Sequence, residues 1–139
     1  LNRNFPTGDW QSAPVPHRST LDDPRDVLLS PGERPGSEPE VRALLELIGE
    51  LKPEVVISLH APLACIDDAN QSELGRRLAE RTGMPFVTDV GYPTPGSFGT
   101  WGKENGVPVI TYEFPLASTD ELVRTHVPVL VELLTRTDG

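Results

Sequence analysis

The strongest periodic signal in the chain is a set of apolar positions, Val41, Leu44, Leu45, Ile48 and Leu51, that recur at intervals of three and four residues, the spacing of one buried helical face. Ahead of them Ser37-Glu38-Pro39-Glu40 has the Ser-x-x-Glu spacing of a capping box and sets Pro39 in the first turn, where its missing N–H costs nothing. Lys52-Pro53 stops this helix. The pattern then changes to Glu54-Val55-Val56-Ile57-Ser58-Leu59, a β-branched run too continuous for a half-exposed strand and typical of one covered on both faces. It ends at His60.

The alternation continues. Asn70 to Thr82 carries Leu74 and Leu78 at helical spacing with Gly83 as a stop, and a strand from Pro85 to Asp89 follows. Beyond the glycine-rich segment Gly91 to Gly106, a third strand, Val107-Pro108-Val109-Ile110-Thr111-Tyr112, ends at Glu113. A last helix begins near Ser118, whose spacing to Glu121 again fits a capping box. It turns Leu122, Leu130, Leu133 and Leu134 to the core, and Pro128 is expected to kink it. Such alternation implies an α/β fold, a mostly parallel or mixed sheet with helices on both faces. Asn2 to Gly36, crowded with proline, has no such pattern and reads as a long loop; structureless connections of that length commonly line a functional site.

Composition narrows the picture. At 139 residues with 37% hydrophobic content, the chain has material for one modest core. Twelve basic against twenty-one acidic residues give a net charge of -9, whose field repels phosphate and disfavours nucleic acid and anionic membrane as partners. No apolar run approaches the about 18 residues of a membrane span. A single Cys65 makes no internal disulfide, which biases the expected compartment towards the cytoplasm. The chain opens on Leu1 inside a specific-looking polar run, Asn2-Arg3-Asn4-Phe5-Pro6, and is read as starting within a domain.

Two residues at strand ends draw attention, because ligand crevices of open α/β sheets lie beyond the carboxyl ends of strands. His60 is either a structural histidine or a ligand. Glu113, directly after a buried strand, either forms a salt bridge to an arginine or serves chemistry that needs a desolvated carboxylate. His17, in the loop, and His126, turned outward by periodicity, are read as surface residues. No His-x-x-Glu or His-x-x-x-His spacing occurs, so the chain does not supply the three protein ligands of a catalytic zinc.

Five ordered landmarks then matter together: Asn2-Arg3-Asn4-Phe5-Pro6, Gly36-Ser37-Glu38-Pro39-Glu40, Ser58-Leu59-His60, Gly91-Tyr92 with Pro95-Gly96-Ser97-Phe98-Gly99-Thr100-Trp101, and Thr111-Tyr112-Glu113-Phe114-Pro115. Their order and gaps resemble the zinc carboxypeptidase family across nearly the whole chain. The runs from Leu59 to Asp68 and from Gly91 to Phe98 are similar to the murein peptide amidase subgroup. The resemblance implies that residues 1–139 are the C-terminal part of a single catalytic domain of α/β/α form, incomplete at its N-terminus and inactive alone.

The resemblance also implies roles. His60 would be the third ligand of one zinc ion, the other two coming from an upstream His-x-x-Glu. Glu113 would be the general base that takes a proton from the attacking water and returns it to the leaving amine. Asn2 and Arg3 would bind the substrate's terminal carboxylate, and Tyr92 would close over the substrate on a mobile loop, or else simply pack at the loop base. Gly96 and Gly99 would let backbone approach the substrate, and Trp101 would belong to the core. Apart from the resemblance, the place of Asp67 and Asp68 shortly after His60 leads us to expect that they meet the extra ammonium of a diaminopimelate side chain. The implied partner is a small peptide with a free C-terminal carboxylate, and the implied reaction is hydrolysis of the γ-D-glutamyl-meso-diaminopimelate amide. Alternatives are a general metallocarboxypeptidase, an N-acyl amino acid deacylase, or an inactive carboxylate-binding module.

Overall fold

A computed structural model describes residues 1–18 and 26–135. After a short antiparallel hairpin of β1 (Val15–Arg18) and β2 (Asp26–Leu29), helix α1 (Pro39–Leu51) leads into β3 (Val56–His60) and β4 (Leu63–Asp67). Then come α2 (Glu73–Thr82), β5 (Phe86–Val87), α3 (Phe98–Asn105), β6 (Val109–Pro115) and α4 (Thr119–Thr135). The main sheet has the order β3-β6-β4-β5, with β3 parallel to β6, β4 antiparallel to β6 and β5 parallel to β4. The sheet is therefore mixed, within the expected class.

Strand β6 shows how the layers form, because successive side chains of a strand point to opposite faces. Ile110 and Tyr112 join Ile66, Leu78, Ala79, Met84 and Val129 in one core, closed by α2 and α4. Val109 joins Phe5, Val41, Ile48 and Phe98 in the other, closed by α1, α3 and the N-terminal segment. Trp101 packs against this second core and stacks on Phe98, as expected of a core residue. Among the described residues no helix is long and apolar enough to cross a membrane.

Several local expectations need correction. The segment read as an unbroken loop holds the β1–β2 hairpin, whose strands, with Pro16 and Asp26 in them, have too little alternation to stand out; the side chain of His17 lies outside the described residues. The α1 capping box is absent: Glu38 is the N-cap residue and makes no side-chain cap, because Ser37 Oγ donates to Glu38 Oε1 and accepts from Asn4 Nδ2. The second box is present, with Ser118 N donating to Glu121 Oε2 at 3.0 Å and Glu121 N to Ser118 Oγ at 3.3 Å. Helix α4 runs on through Pro128 and turns Leu122, His126, Val129, Leu130 and Leu133 inward, leaving Leu134 88% exposed. His126 is thus a core residue, 3% exposed, its Nδ1 hydrogen-bonded to the Tyr112 hydroxyl at 2.8 Å.

Candidate active site

The parallel pairing of β3 with β6 sets His60 opposite Glu113, and the antiparallel pairing of β4 sets Cys65 opposite Glu113 and Asp67 opposite Thr111. Partners in register share a sheet face, so imidazole, carboxylates and hydroxyl all lie on the α1/α3 side. Glu113 does not follow its strand but lies inside it, because pairing of Leu63 with Pro115 prolongs the ladder past the apolar run. It is 6% exposed, and no arginine pairs with it among the described residues. Burial pushes its carboxyl above the ordinary range. The Leu63 N–H, donating to Oε2 at 3.4 Å, opposes this, and the neighbouring Asp67 adds to it.

The N-terminal segment reaches this place through the glycine-rich loop. Phe5 N donates to Gly96 O at 3.0 Å, Gly96 N donates to Asp9 Oδ1 at 3.1 Å, and Phe98 N donates to Asn2 Oδ1 at 2.7 Å. Gly96 is required by this docking rather than by substrate: at φ 69° its backbone passes so close to Arg3 that a Cβ would come within 2.4 Å of Arg3 O. Gly99 does face the cleft, with open space where a side chain would be. Asn4, buried, holds the other end of the segment: its Nδ2 donates to Pro31 O and Arg34 O, and its Oδ1 accepts from Glu38 N. The sequence quoted Asn4 in a motif without assigning it this task.

Arg3 is 4% exposed. It donates to Asn2 O and to Tyr92, while its Nε is buried and makes no hydrogen bond within the described residues. Burial presses the guanidinium below its ordinary value, and Tyr92 partly offsets this. A buried cation with an unspent donor is a ready partner for a carboxylate. One cleft of about 140 Å³ is lined by Asn2, Arg3, His60, Tyr92 and Glu113, bringing together all five residues singled out in the sequence. Asp67, Ser97 and Thr111 also line it.

His60 Nε2 lies 3.1 Å from Ser58 Oγ. Among the described residues no three His, Cys, Asp or Glu side chains converge to hold a metal ion, so the donor set fits one corner of a zinc site and not a whole one. Asp68 is turned away from the cleft and fully buried. Its Oδ1 accepts from Asn70 N at 2.9 Å, and its Oδ2 from Ser72 N and Ser72 Oγ at 2.8 and 2.6 Å, tying down the start of α2. Its expected contact with a substrate ammonium is therefore excluded by geometry. Cys65 is buried and its thiol is pushed up to about 12 by burial and by Glu113 and Asp67, which leaves it inert as a nucleophile.

No protein-family model matches the chain. It is 46% identical over 135 residues to murein peptide amidase A of Escherichia coli, covering 96% of this chain and 56% of that protein. To the protein of the same name from Vibrio campbellii it is 42% identical, covering 96% of this chain and 54% of that one. The crystal structure of the murein-tripeptide amidase from Escherichia coli O157 matches with a TM-score of 0.92 at 43% identity, covering 100% of this chain and 59% of that chain. With 42 to 46% identity along 96% of its length and the same fold, the chain is similar to the murein peptide amidase A proteins and spans a little over half of their length.

Proposed function

We propose that the protein carrying this chain is a zinc-dependent amidase that cleaves an amide next to a free carboxylate, most concretely the γ-D-glutamyl-meso-diaminopimelate bond of murein peptides. The observation that carries the reading is the gathering of His60, Glu113, Arg3, Asn2 and Tyr92 around one cleft, and the names of the relatives support the substrate. A cytoplasmic setting, suited to the lone Cys65, belongs to the same proposal.

In this reading His60 is one of three protein ligands, the other two coming from polypeptide outside residues 1–139. Bound zinc supplies Lewis-acid activation of the attacking water and the scissile carbonyl. Arg3, with the Asn2 amide beside it, holds the terminal carboxylate and so fixes the register of the amide against Glu113. Glu113 takes a proton from the attacking water and delivers it to the leaving amine; its raised proton affinity suits both halves of that exchange. Tyr92, bonded to Arg3, covers the bound carboxylate.

The rival reading, a carboxylate-binding module without catalysis, uses Arg3 but has no need of zinc or Glu113. The test is made on the whole protein. Zinc is expected at one ion per chain, with activity lost on chelation and restored by zinc. Glu113→Gln is expected to retain the zinc and lose hydrolysis. Absence of stoichiometric zinc, or full activity in Glu113→Gln, would establish the rival.

A further inference from the structure

Ser58 interrupts the apolar run Val55-Val56-Ile57-Ser58-Leu59 as its one polar residue. Strand alternation sets it with Val56 and His60 on the α1/α3 face of β3, and its register partner on β6 is Thr111, two residues before Glu113. Packing gives no reason for a hydroxyl at this position. Beside β3 lies a hollow of about 290 Å³, and there Ser58 shares the wall with Phe5, Leu44, Val56, Phe98 and the His60 ring. The apolar neighbours offer its hydroxyl no partner. Among the described residues the side chain that meets it is His60, whose Nε2 lies 3.1 Å from Ser58 Oγ.

A neutral imidazole carries its proton on one ring nitrogen and a lone pair on the other, and the hydrogen bond made at one nitrogen decides the role of the second. A histidine that ligates a metal presents the lone pair to the cation while its other N–H donates to a neighbouring acceptor. Ser58 Oγ stands where such an acceptor is required. It is also rigidly held, because Ser58 and His60 are both tied to β6, through Thr111 and Glu113. If Ser58 Oγ accepts from Nε2–H, Nδ1 carries the lone pair. If the hydroxyl donates instead, the proton moves to Nδ1. The two arrangements are distinguishable by experiment, and just one of them makes Nδ1 a metal donor.

We propose that Ser58 is the positioning residue of His60: its oxygen accepts the Nε2 proton and so fixes the tautomer and the ring plane before the metal arrives. The hydroxyl in the apolar run is then explained by the ligand two residues later rather than by the fold. This inference rests on the zinc-amidase reading above and adds a residue that prepares one of its metal ligands.

The test reads zinc affinity and ring protonation in the whole protein rather than turnover. In competition with a chromophoric chelator, Ser58→Ala is expected to raise the Kd for zinc by about tenfold, the lower end of the usual loss because the acceptor is neutral. Ser58→Thr keeps the hydroxyl and is expected to stay within about threefold of wild type. In zinc-free protein labelled with ¹⁵N-histidine, the His60 ring is expected as the Nε2–H tautomer, with exchange between tautomers appearing in Ser58→Ala. Unfolding midpoints of the zinc-free proteins separate a structural role: a Ser58→Ala variant that loses stability along with affinity overturns the assignment. So does an affinity within about twofold of wild type in Ser58→Ala, an equal loss in Ser58→Thr, or an Nδ1–H ring in wild type. A wild type that holds no zinc overturns the parent reading instead, and this inference with it.

Discussion

Strand β6 buries titratable groups on both of its faces and treats the two sets in opposite ways. Towards α4, Tyr112 and His126 are hydrogen-bonded to each other at 2.8 Å, with Tyr112 and Phe114 edge-on to the imidazole. Each polar atom in that bond spends its capacity on the other, so burial costs little. Towards the cleft, Glu113 has one long N–H contact, Arg3 Nε has no partner, and Asp67 accepts no hydrogen bond within the described residues. Here the desolvation cost stays uncompensated, which stability alone does not favour and ligand binding would repay. The difference separates a polar core from a candidate site on one strand, one residue apart.

The contrast is broken most decisively at Glu113. Glu113→Gln is expected to lower kcat by about 10² to 10⁴, the usual contribution of a general base. Its unfolding midpoint should stay level or rise, because a buried carboxylate held by one weak bond is replaced by a neutral amide. A variant that lost stability in step with activity would mark Glu113 as structural and erase the distinction. Next in size, Arg3→Lys keeps the charge and loses the planar fork. It is expected to raise KM for carboxylate-bearing substrates by about tenfold with a smaller change in kcat, read from full saturation curves.

How much of this was legible depends on range. Helix α1, strand β3 and helix α2 were readable because each is a local apolar pattern with a local stop, as at Lys52-Pro53 and Gly83. Strand β4 was missed because Leu63-Ala64-Cys65-Ile66-Asp67 is short and carries little β-branching, and its existence depends on antiparallel pairing with β6, some fifty residues later in the chain. Helix α3 was hidden by Gly99 and Gly102, poor helix formers. It stands on the Ser97 cap and on the packing of Phe98 and Trp101, and Gly102 is required because a Cβ there would meet Val109 Cγ2 at 2.5 Å. Periodicity turned His126 outward, yet it lies four residues from both Leu122 and Leu130 and shares their inward stripe. The cleft was legible only as separate residues: nothing local says that Arg3 reaches Glu113, or that Asp89 and Lys103 share a wall with Asp67.

The other face yields a smaller effect of different kind. Tyr112→Phe deletes the hydroxyl and leaves His126 Nδ1 buried and unpaired, which is expected to cost about 1 to 3 kcal/mol in denaturant unfolding. Hydrolysis should be retained, since neither group faces the cleft. Replacing both partners, Tyr112→Phe with His126→Leu, should recover part of the loss because no orphaned polar atom remains. If the double variant were as unstable as the sum of the singles, the pair would be contributing packing rather than mutual satisfaction.

Titration gives the finest separation, because the faces respond with opposite sign. Burial lowers His126 below its ordinary 6.5, so the folded protein favours the neutral ring; that contribution is present above pH 6.5 and is lost as the pH falls. Asp67 is raised from 3.8 to about 6, so the folded protein favours its neutral acid. That contribution is present below pH 3.8 and is lost as the pH rises through about 6. Unfolding midpoints measured across this range should therefore show Asp67→Asn gaining on wild type as the pH rises from about 4 to 7, since the asparagine has no proton to lose. The Tyr112→Phe/His126→Leu variant should gain on wild type as the pH falls below 6.5, since it has no buried ring to protonate. Two difference curves of the same sign would mean that cleft and core titrate alike, and that the unspent capacity around Glu113 is no mark of a site.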